Sequence, residues 1–425
     1  MTTPLQAELN RRRFLLSAGA AGLAAAGLPQ LTFAQDASLT GDLTYWHHFT
    51  SESELAGLET GTGLFSAAYP GIKVTSENIP NADYMTQFTT AATGGGLPDV
   101  AMAASDRIPD MNALGGLVDI TDRFAAWEKK GNFAENLLVA GTQDGKLYGL
   151  PMFLFIDWVY YRKDWFAEKN ITPPTTWEEF RQAAIAMTDT AAGRYGFGLR
   201  GGGGGQGHVI NIMRAYGALT VDDAGIPTID RDKAIEAVSF WSSLYTTDKV
   251  APASAPDDSY SQIMQAFRTG QTAMVYHHTG SLVEIMTDLT PDQVGTIMVP
   301  SGPAMAIRGV VPQYNAITNA DTADLGWAWL TYWTEAEAAL ALLEATGYFP
   351  ASTEVASDPK IADNPIYDAA RESIPVATPP LAFVGLAGWS STSVLANFQA
   401  VLTGQSTVEE AVDQIITDLE TEIGA

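Results

Sequence analysis

The segment GKLYGLPMFLFIDWVYYRKDWF, residues 145–166, is a long run of aromatic and aliphatic residues with the composition of a β-strand and no room for a helix. The chain on either side of it alternates short apolar strands with helical segments, which is the pattern of parallel α/β sheets. At 425 residues the chain also exceeds the length that one hydrophobic core usually serves. We therefore interpret residues 145–166 as a crossing between two α/β lobes.

The two lobes are expected to exchange segments more than once, with a cleft and a hinge between them. Residues 270–281, GQTAMVYHHTGS, have the pattern of a strand that returns to the first lobe, and residues 308–318, RGVVPQYNAIT, have that of a second crossing. Capping-box spacing predicts that helices begin after Thr176 and Ser406. The predicted amino-terminal lobe comprises residues 35–150 and 275–313, and the predicted carboxyl-terminal lobe comprises residues 151–274 and 314–425.

The first 34 residues have the features of an export signal. Three arginines at positions 11–13 precede a mildly apolar run, and small residues lead to a predicted cleavage after Ala34. The order Asn-Arg-Arg-Arg-Phe-Leu is similar to a twin-arginine signal, and a Sec signal is the alternative. The absence of cysteine excludes disulfides, thiol catalysis and a lipid-bearing cysteine anchor. We expect a soluble periplasmic protein, monomeric in solution.

Charge and hydropathy exclude two classes of partner. A formal net charge of −26 repels nucleic acid and anionic lipid surfaces over a screening length of about 8–10 Å. After the signal, no stretch reaches about 18 uninterrupted apolar residues, so no membrane span is predicted. A small ligand in a sheltered cleft stays compatible with both observations.

Residues 198–210, GLRGGGGGQGHVI, hold five consecutive glycines between a predicted strand and a predicted helix. A dinucleotide-binding loop is disfavoured because no acidic residue ends a second strand downstream. A flexible linker is disfavoured because an apolar helix follows at once. We interpret the segment as a loop whose backbone approaches a ligand and directs N–H groups at it.

Several blocks, spread over the whole exported chain, resemble family 1 of the extracellular solute-binding proteins, the sugar-binding components of bacterial ABC importers. The blocks are PDV at 98–100, SDR at 105–107, DGKLYGLP at 144–151, PPTTWEEF at 173–180, WAWLTYWTEAEA at 327–338, TGYFPA at 346–351 and LTGQSTVEEAV at 402–412. The resemblance implies two hinged α/β lobes that close on a carbohydrate. It also implies delivery of that ligand to permease subunits in the inner membrane, without a cofactor.

The resemblance further implies which residues contact the ligand. Aligned with the family's contact positions are Trp46, His47, His48, Asp106, Arg107, Asp157, Trp158, Gly205, Gln206, His208 and Trp389. Where the family often has a tryptophan after the strand at 270–281, this chain has Leu282, which favours a mono- or disaccharide over a long oligosaccharide. Independently, a sugar needs flat aromatic groups for its C–H faces and polar side chains for its hydroxyls.

All five histidines, the three above with His277 and His278, fall in segments that we place at the cleft. They would exchange hydrogen bonds with sugar hydroxyls or with loop backbone. A transition-metal site is a second hypothesis, although no H-x-x-x-H or H-x-x-E-H spacing occurs. A third is an anionic ligand, such as a uronate or sulfonated sugar, held by histidines with Arg200 or Arg308.

An enzyme is the competing class of function. A glycosidase needs two carboxylates about 5–9.5 Å apart, and Asp106 with Asp157 is the available pair. No Ser-His-Asp signature, P-loop or H-E-x-x-H motif accompanies it. We therefore predict a binding protein with no catalytic or metal-ligating residues.

Overall fold

The computed structural model describes residues 38–81, 83–222, 225–381, 383 and 385–424. The predicted export signal, residues 1–34, lies outside the described residues. Among the helices of the described part, none is long and apolar enough to cross a membrane.

Strands and helices alternate along most of the described chain. The strands are β1 Gly41–His47, β2 Ile72–Asn78, β3 Val100–Ala104, β4 Thr142–Gln143, β5 Lys146–Leu147, β6 Leu150–Arg162, β7 Tyr195–Phe197, β8 Leu219–Val221, β9 Pro227–Ile229, β10 Thr272–His278, β11 Val294–Met298, β12 Val310–Ile317 and β13 Phe349–Pro350. The α-helices up to β12 are α1 Glu52–Ala68, α2 Tyr84–Gly94, α3 Ile108–Ala113, α4 Thr121–Ala126, α5 Glu135–Leu138, α6 Lys163–Glu168, α7 Trp177–Met187, α8 Gly205–Ala215, α9 Arg231–Thr246, α10 Tyr260–Arg268 and α11 Leu282–Ile285. The later α-helices are α12 Ala323–Tyr332, α13 Ala336–Thr346, α14 Thr353–Ala356, α15 Pro359–Ala362, α16 Asp368–Ser373, α17 Leu386–Trp389, α18 Leu395–Leu402 and α19 Val408–Ile423.

One strand, β6, organises the main sheet, whose order is β2-β1-β3-β12-β6-β10-β7 with β11 and β13 also paired to β6. The first part of β6 pairs with β12 and β13, whereas its second part pairs with β10 and β11. The 13-residue strand is therefore shared by two halves of the sheet, whereas residues 163–166 of the same segment form the start of helix α6 and not a strand. We call them the amino-terminal half (β1, β2, β3, β12, β13) and the carboxyl-terminal half (β7, β10, β11).

The strand pairing corrects two expectations about the later segments. Strand β10 does not return to the amino-terminal half, because it pairs with β7 and with residues 157–161 of β6. It is β12 that returns, by pairing with β3 and with residues 150–156 of β6. Helix α13 then packs against α1, so part of the segment after 314 also belongs with the amino-terminal half. The sequence could not decide this because both strands are equally apolar.

Aromatic residues on the helices form much of the core, as their helical spacing predicts. Trp177 and Trp241 pack in the core of the carboxyl-terminal half, and Trp329 and Trp333 in that of the amino-terminal half. Helix α1 runs without a break through Gly61, where a Cβ atom would lie 2.2 Å from the Trp333 ring. Glycine is required there because the indole occupies the space of a side chain.

The capping boxes account for two helix starts. Thr176 accepts from the backbone N–H of Glu179 and begins α7, as expected. Helix α19 begins after Thr407, whose partner is Glu410, one residue later than predicted. The predicted start differs by one residue because the sequence contains two overlapping capping boxes, Ser406 with Glu409 and Thr407 with Glu410, and the helix uses the second.

Asp99 joins three segments of the amino-terminal half. Its carboxylate accepts from the backbone N–H and hydroxyl of Thr44 (2.7 and 2.8 Å), from Asn319 (2.9 Å) and from the Thr322 hydroxyl (2.6 Å). Burial alone would raise the pKa of Asp99, but these hydrogen bonds outweigh it and hold the pKa below its usual value.

We expect Asp99→Ala to lower the free energy of unfolding by about 3 kcal/mol, because four part-buried donors lose their acceptor at once. Since the folded pKa is depressed, this contribution is present above the unfolded pKa and is lost as the pH falls through the folded value. Urea unfolding at pH 7 and at pH 3 measures both effects. Asp42→Ala, an exposed carboxylate on β1, is the matched control. Equal stability of the two variants at pH 7 would contradict the expectation.

Candidate functional site

A cavity of about 340 Å³ lies where β6 leaves the amino-terminal half of the sheet. Its walls come from β6, from α8 and the loop before it, from the segment leading into β12, and from the chain around α17. The lining residues are Asp157, Gly204, Gln206, Gly207, Ile210, Asn211, Arg214, Ile307, Gly309, Val310, Val311, Thr378, Pro380, Leu381, Leu386 and Ser390. The apolar part of this wall is aliphatic, with a few polar side chains among it.

Asp157 is the carboxylate of the cavity. It lies in β6 at the point where pairing changes from β12 to β10. Tyr276 donates a long hydrogen bond, 3.4 Å, to its Oδ2. Burial raises the pKa of Asp157 to about 6, and the Tyr276 hydroxyl partly opposes that rise. A carboxylate with so little internal hydrogen bonding is available as an acceptor for a ligand.

Helix α8 presents a polar stripe to the cavity. Gly207, Asn211 and Arg214 line the wall at helical spacing, so they share one face. Arg214 Nη2 donates to the carbonyl of Pro379 over 2.8 Å, and burial lowers the pKa of its guanidinium. The stripe places hydrogen-bond donors in the same cavity as the Asp157 carboxylate.

The glycine run packs against the protein's own backbone. Within residues 201–205, four amide groups donate to acceptors inside the protein: Gly201 to Ala255, Gly202 to Asp258, Gly204 to the Gln206 side chain and Gly205 to Gly202. A Cβ atom on Gly202 would lie 2.4 Å from the carbonyl oxygen of Asp257. The backbone of this loop therefore lies close to residues 255–258 of the protein itself, and these four amides are not free for a ligand, which corrects the expectation of N–H groups directed at one.

Gly205 and Gln206 stay at the site in different roles. Gln206 lines the cavity and its side-chain oxygen accepts from Gly204. Gly205 is buried at the start of α8, where a Cβ atom would lie 2.1 Å from the carbonyl oxygen of Arg200. Gly205 therefore shapes the loop and is not among the lining residues.

The residues predicted at the ends of β1 and β3 gather around Tyr84. His48 meets the Tyr84 ring edge-on at 5.6 Å, and the Arg107 guanidinium lies 5.3 Å from the same ring. Trp46 donates its indole N–H to Glu77 over 3.0 Å. Asp106 is exposed. None of these four is among the residues lining the cavity.

His48 and Arg107 each keep a buried nitrogen without a partner among the described residues, Nδ1 and Nη1 respectively. Burial, followed by the nearby guanidinium, lowers the pKa of His48 to about 4. Arg107 Nη2 donates to Asn81 over 2.6 Å. Two nitrogens without a hydrogen-bond partner among the described residues thus lie near the carboxyl ends of β1 and β3, two neighbouring strands that run parallel to each other.

His277 and His278 lie side by side at the end of β10, with ring centroids 4.2 Å apart. His277 shares a 2.8 Å hydrogen bond with Ser281, and His278 contacts Phe155 of β6 at 4.8 Å. His47 is buried and accepts from the backbone N–H of Phe49. None of these three is among the lining residues. His47 and His277 have the surroundings of core residues, while His278 is paired in register with Asp157.

All five histidines have a lowered pKa, chiefly because burial disfavours the imidazolium. They are therefore neutral near pH 7. In the part of the chain that the structure describes, no three or more His, Cys, Asp or Glu side chains are grouped so as to hold a metal ion. Arg308 donates to the carbonyl of Val299 and to Ser301, so it is occupied within the fold. Arg200 donates to the carbonyl of Gly203.

Two tryptophans predicted to contact the ligand are buried instead. Trp389 is 1% exposed, contacts Phe383 at 5.8 Å and donates its indole N–H to the carbonyl of Ile415 over 2.9 Å. Trp158 is fully buried against Tyr160. The sequence predicts that both tryptophans contact the ligand, but in this structure each ring packs in the core, while the adjacent residue, Asp157 or Ser390, lines the cavity.

Asn211, Arg214, Tyr276 and Gly309 belong to the site and were not predicted. Asn211 and Arg214 follow His208 at steps of three on an otherwise apolar helix, a spacing that could have indicated a polar face. Tyr276 precedes His278 by two residues on a strand, which places both on one face. No sequence pattern indicates Gly309, because its role depends on its closeness to Asp157 in the folded structure.

Comparison with known proteins agrees with this architecture. A model of the bacterial extracellular solute-binding proteins matches residues 50–340. The erythritol/L-threitol-binding protein of Mycolicibacterium smegmatis is 27% identical over 368 residues, covering 76% of this chain and 74% of that protein.

Solved structures share the fold. An ABC transporter solute-binding protein from Thermotoga lettingae, bound with α-D-tagatose, superposes with a TM-score of 0.75 at 22% identity, covering 91% of this chain and 100% of that one. Maltose-bound T. maritima MalE3 superposes with a TM-score of 0.76 at 21% identity, covering 89% and 99%. The resemblance seen in the sequence blocks and the predicted α/β fold class of the periplasmic binding proteins are both confirmed. The chain belongs to the bacterial extracellular solute-binding protein family.

Proposed function

We propose that the protein captures one small, neutral, polyhydroxylated compound, a monosaccharide, disaccharide or polyol, beside Asp157 and delivers it to the permease of an ABC importer. The family consists of sugar- and polyol-binding components of ABC transporters. The relatives above are named for ligands that range from a four-carbon polyol to a disaccharide. The proposed periplasmic location and export signal follow from residues 1–34 and from the family.

The observation that carries the proposal is the Asp157 carboxylate, which lines the cavity with a single long hydrogen bond from Tyr276. Hydroxyl groups donate well to such a carboxylate, and Asn211 and Arg214 offer donors to the ligand's oxygens. The aliphatic wall suits C–H groups. At about 340 Å³ the cavity is near the lower end of the usual ligand-pocket range of about 300–1,000 Å³, which favours a small compound.

An anionic sugar or polyol is the second candidate. It is favoured by Arg214, the one guanidinium among the lining residues. It is opposed by Asp157, whose pKa of about 6 leaves it mostly ionised at pH 7 and repulsive to an anion. Arg200 and Arg308 do not line the cavity. A neutral compound satisfies both Asp157 and Arg214 without this repulsion.

Closure of the two halves around the ligand is part of the proposal. The unpartnered nitrogens of His48 and Arg107 belong to the amino-terminal half, whereas Asn211 and Arg214 belong to the carboxyl-terminal half. A ligand that contacts both groups only in a closed state shifts the population toward that state. Trp46, His47, Asp106 and His278 remain proposed contributors to the closed site.

Thermal unfolding with a panel of compounds tests the function. A ligand at 100 times its dissociation constant should add about 2.7 kcal/mol of stability. The panel contains D-glucose, D-galactose, lactose, maltose, erythritol, L-threitol, D-mannitol and D-galacturonate, and calorimetry quantifies each hit. Stabilisation by none of them would contradict the proposal. Chromatography of the recovered compounds should show them unchanged, since products would instead support the enzyme alternative with Asp106 and Asp157.

A further inference from the structure

We infer that Tyr276 is a positioning residue, which orients the Asp157 carboxylate toward the ligand and so sets the hydroxyl stereochemistry that the cavity accepts. The inference rests on the proposed function of the cavity. Tyr276 is 1% exposed and is not among the residues that line the cavity, so its influence on the ligand passes through the lining residues that it contacts, Asp157 and Asn211.

The direction of the hydrogen bonds at Tyr276 is determined by its neighbours. An ionised carboxylate only accepts, so the tyrosine hydroxyl donates to Asp157 Oδ2 over 3.4 Å. The Tyr276 hydroxyl oxygen in turn accepts from Asn211 Nδ2 over 3.0 Å. Tyr276 thereby links a donor on α8 to an acceptor on β6.

The ring of Tyr276 packs against two aromatic side chains. His208 stacks on it, with centroids 4.3 Å apart and planes at 21°, and Trp177 meets it at 5.9 Å. His208 is buried and its Nδ1 has no partner among the described residues, so its contribution here is the stacked ring. These contacts with residues of two helices fix the position of the Tyr276 ring and therefore that of its hydroxyl oxygen.

Gly309 lies close to the same carboxylate oxygen of Asp157. A Cβ atom on Gly309 would lie 2.2 Å from Asp157 Oδ2, and the backbone N–H of Asp157 donates to the Gly309 carbonyl over 2.8 Å. The Tyr276 hydroxyl and the Gly309 backbone therefore both restrict the position of Oδ2. Because Oδ2 is held, Oδ1 has one orientation in which to meet a ligand hydroxyl.

A fixed acceptor discriminates between epimers, because a hydroxyl of the wrong configuration leaves buried polar groups unpaired. An acceptor that can rotate would follow either configuration. Tyr276→Phe keeps the ring and removes only the hydroxyl. We expect this substitution to lower the affinity for the tightest-binding compound of the panel by about tenfold. We also expect it to reduce discrimination between C2-epimeric D-mannitol and D-glucitol, between erythritol and L-threitol, and between D-glucose and D-galactose.

The pH dependence of ligand binding distinguishes a positioning role of Tyr276 from a purely structural one, because a purely structural role would leave the pH midpoint of binding unchanged. The Tyr276 hydroxyl opposes the burial-driven rise in the pKa of Asp157, so its removal should raise that pKa further. Binding that needs the ionised carboxylate is then lost at a higher pH in Tyr276→Phe than in the wild type.

The other charged or titratable groups around Asp157 do not change charge in this range. They are His278 beside it on β10, His208 and Arg214 on α8, and Arg308 next to Gly309. Burial lowers the pKa of His278 to about 4 and that of His208 to about 3. The guanidinium groups stay protonated, because arginine does not deprotonate in proteins.

The decisive experiment is calorimetry of the wild type and Tyr276→Phe with the three epimer pairs at pH 5 to 8. Tyr332→Phe, which removes a buried hydroxyl of the amino-terminal half, is the control and should bind as the wild type does. Unchanged affinity, unchanged discrimination and an unchanged pH midpoint in Tyr276→Phe would overturn the inference. If Tyr276→Phe does not fold, Gly309→Ala decides, since displacing the carboxylate should likewise reduce discrimination. A wild type that binds none of the compounds refutes the proposed function, and this inference with it.

Discussion

Asp157→Asn should weaken binding of the ligand by about 30- to 100-fold at pH 7.5. A hydrogen bond to a charged group contributes about 1.5–3 kcal/mol, and an amide removes the charge and replaces one acceptor with a donor. Wild-type affinity should itself fall as the pH drops through about 6, because protonation of Asp157 has the same chemical effect. Asp157→Asn should have lost this pH dependence.

Calorimetric titration of the best compound of the panel between pH 5 and 8 measures both effects. Asp232→Asn is the matched control, because its side chain on α9 is 93% exposed and outside the cavity. Its affinity and pH profile should equal those of the wild type. Full affinity of Asp157→Asn at pH 7.5 would remove the observation on which the proposed function stands.

Trp389→Ala should lower the free energy of unfolding by about 3–5 kcal/mol, the usual cost of truncating a buried tryptophan. The indole is 1% exposed and its N–H donates to the carbonyl of Ile415 in α19, so the variant loses packing and a hydrogen bond together. The alternative, taken from the sequence, is that Trp389 stacks on the ligand. In that case the variant would keep its stability and lose affinity.

Chemical unfolding and calorimetry separate these two outcomes. Trp241→Ala, at an equally buried position in the same core, should be destabilised to a similar extent. Trp46→Ala serves as the contrast, since Trp46 is half-buried at the end of β1 and remains a proposed ligand contact. A Trp389→Ala variant with wild-type stability and at least tenfold weaker binding would return Trp389 to the ligand site.

The local elements of this protein follow from its sequence. The aromatic run that becomes β6 was predicted as a strand because it is rich in aromatic and aliphatic residues and lacks helical spacing. The capping box at Thr176 began α7 where its side-chain chemistry required. The motif blocks also sufficed to identify the family, because they are spread over residues 98–412.

The tertiary structure alone decided which faces meet. On β6, Asp157 lines the cavity and Trp158 is buried, a difference of one residue that depends on which half of the sheet covers each face. The same holds for Ser390 and Trp389 on one helical turn.

By itself, the sequence determined the fold class, the crossing strand and the family, because these depend on local patterns along the chain. Only the tertiary structure decided that β12 returns to the amino-terminal half and that the glycine run packs against residues 255–258. It also decided that Tyr276 and Gly309 both lie next to the Asp157 carboxylate. The physical reason is that these contacts join residues far apart in sequence, and their partners are fixed by packing, which no local pattern records.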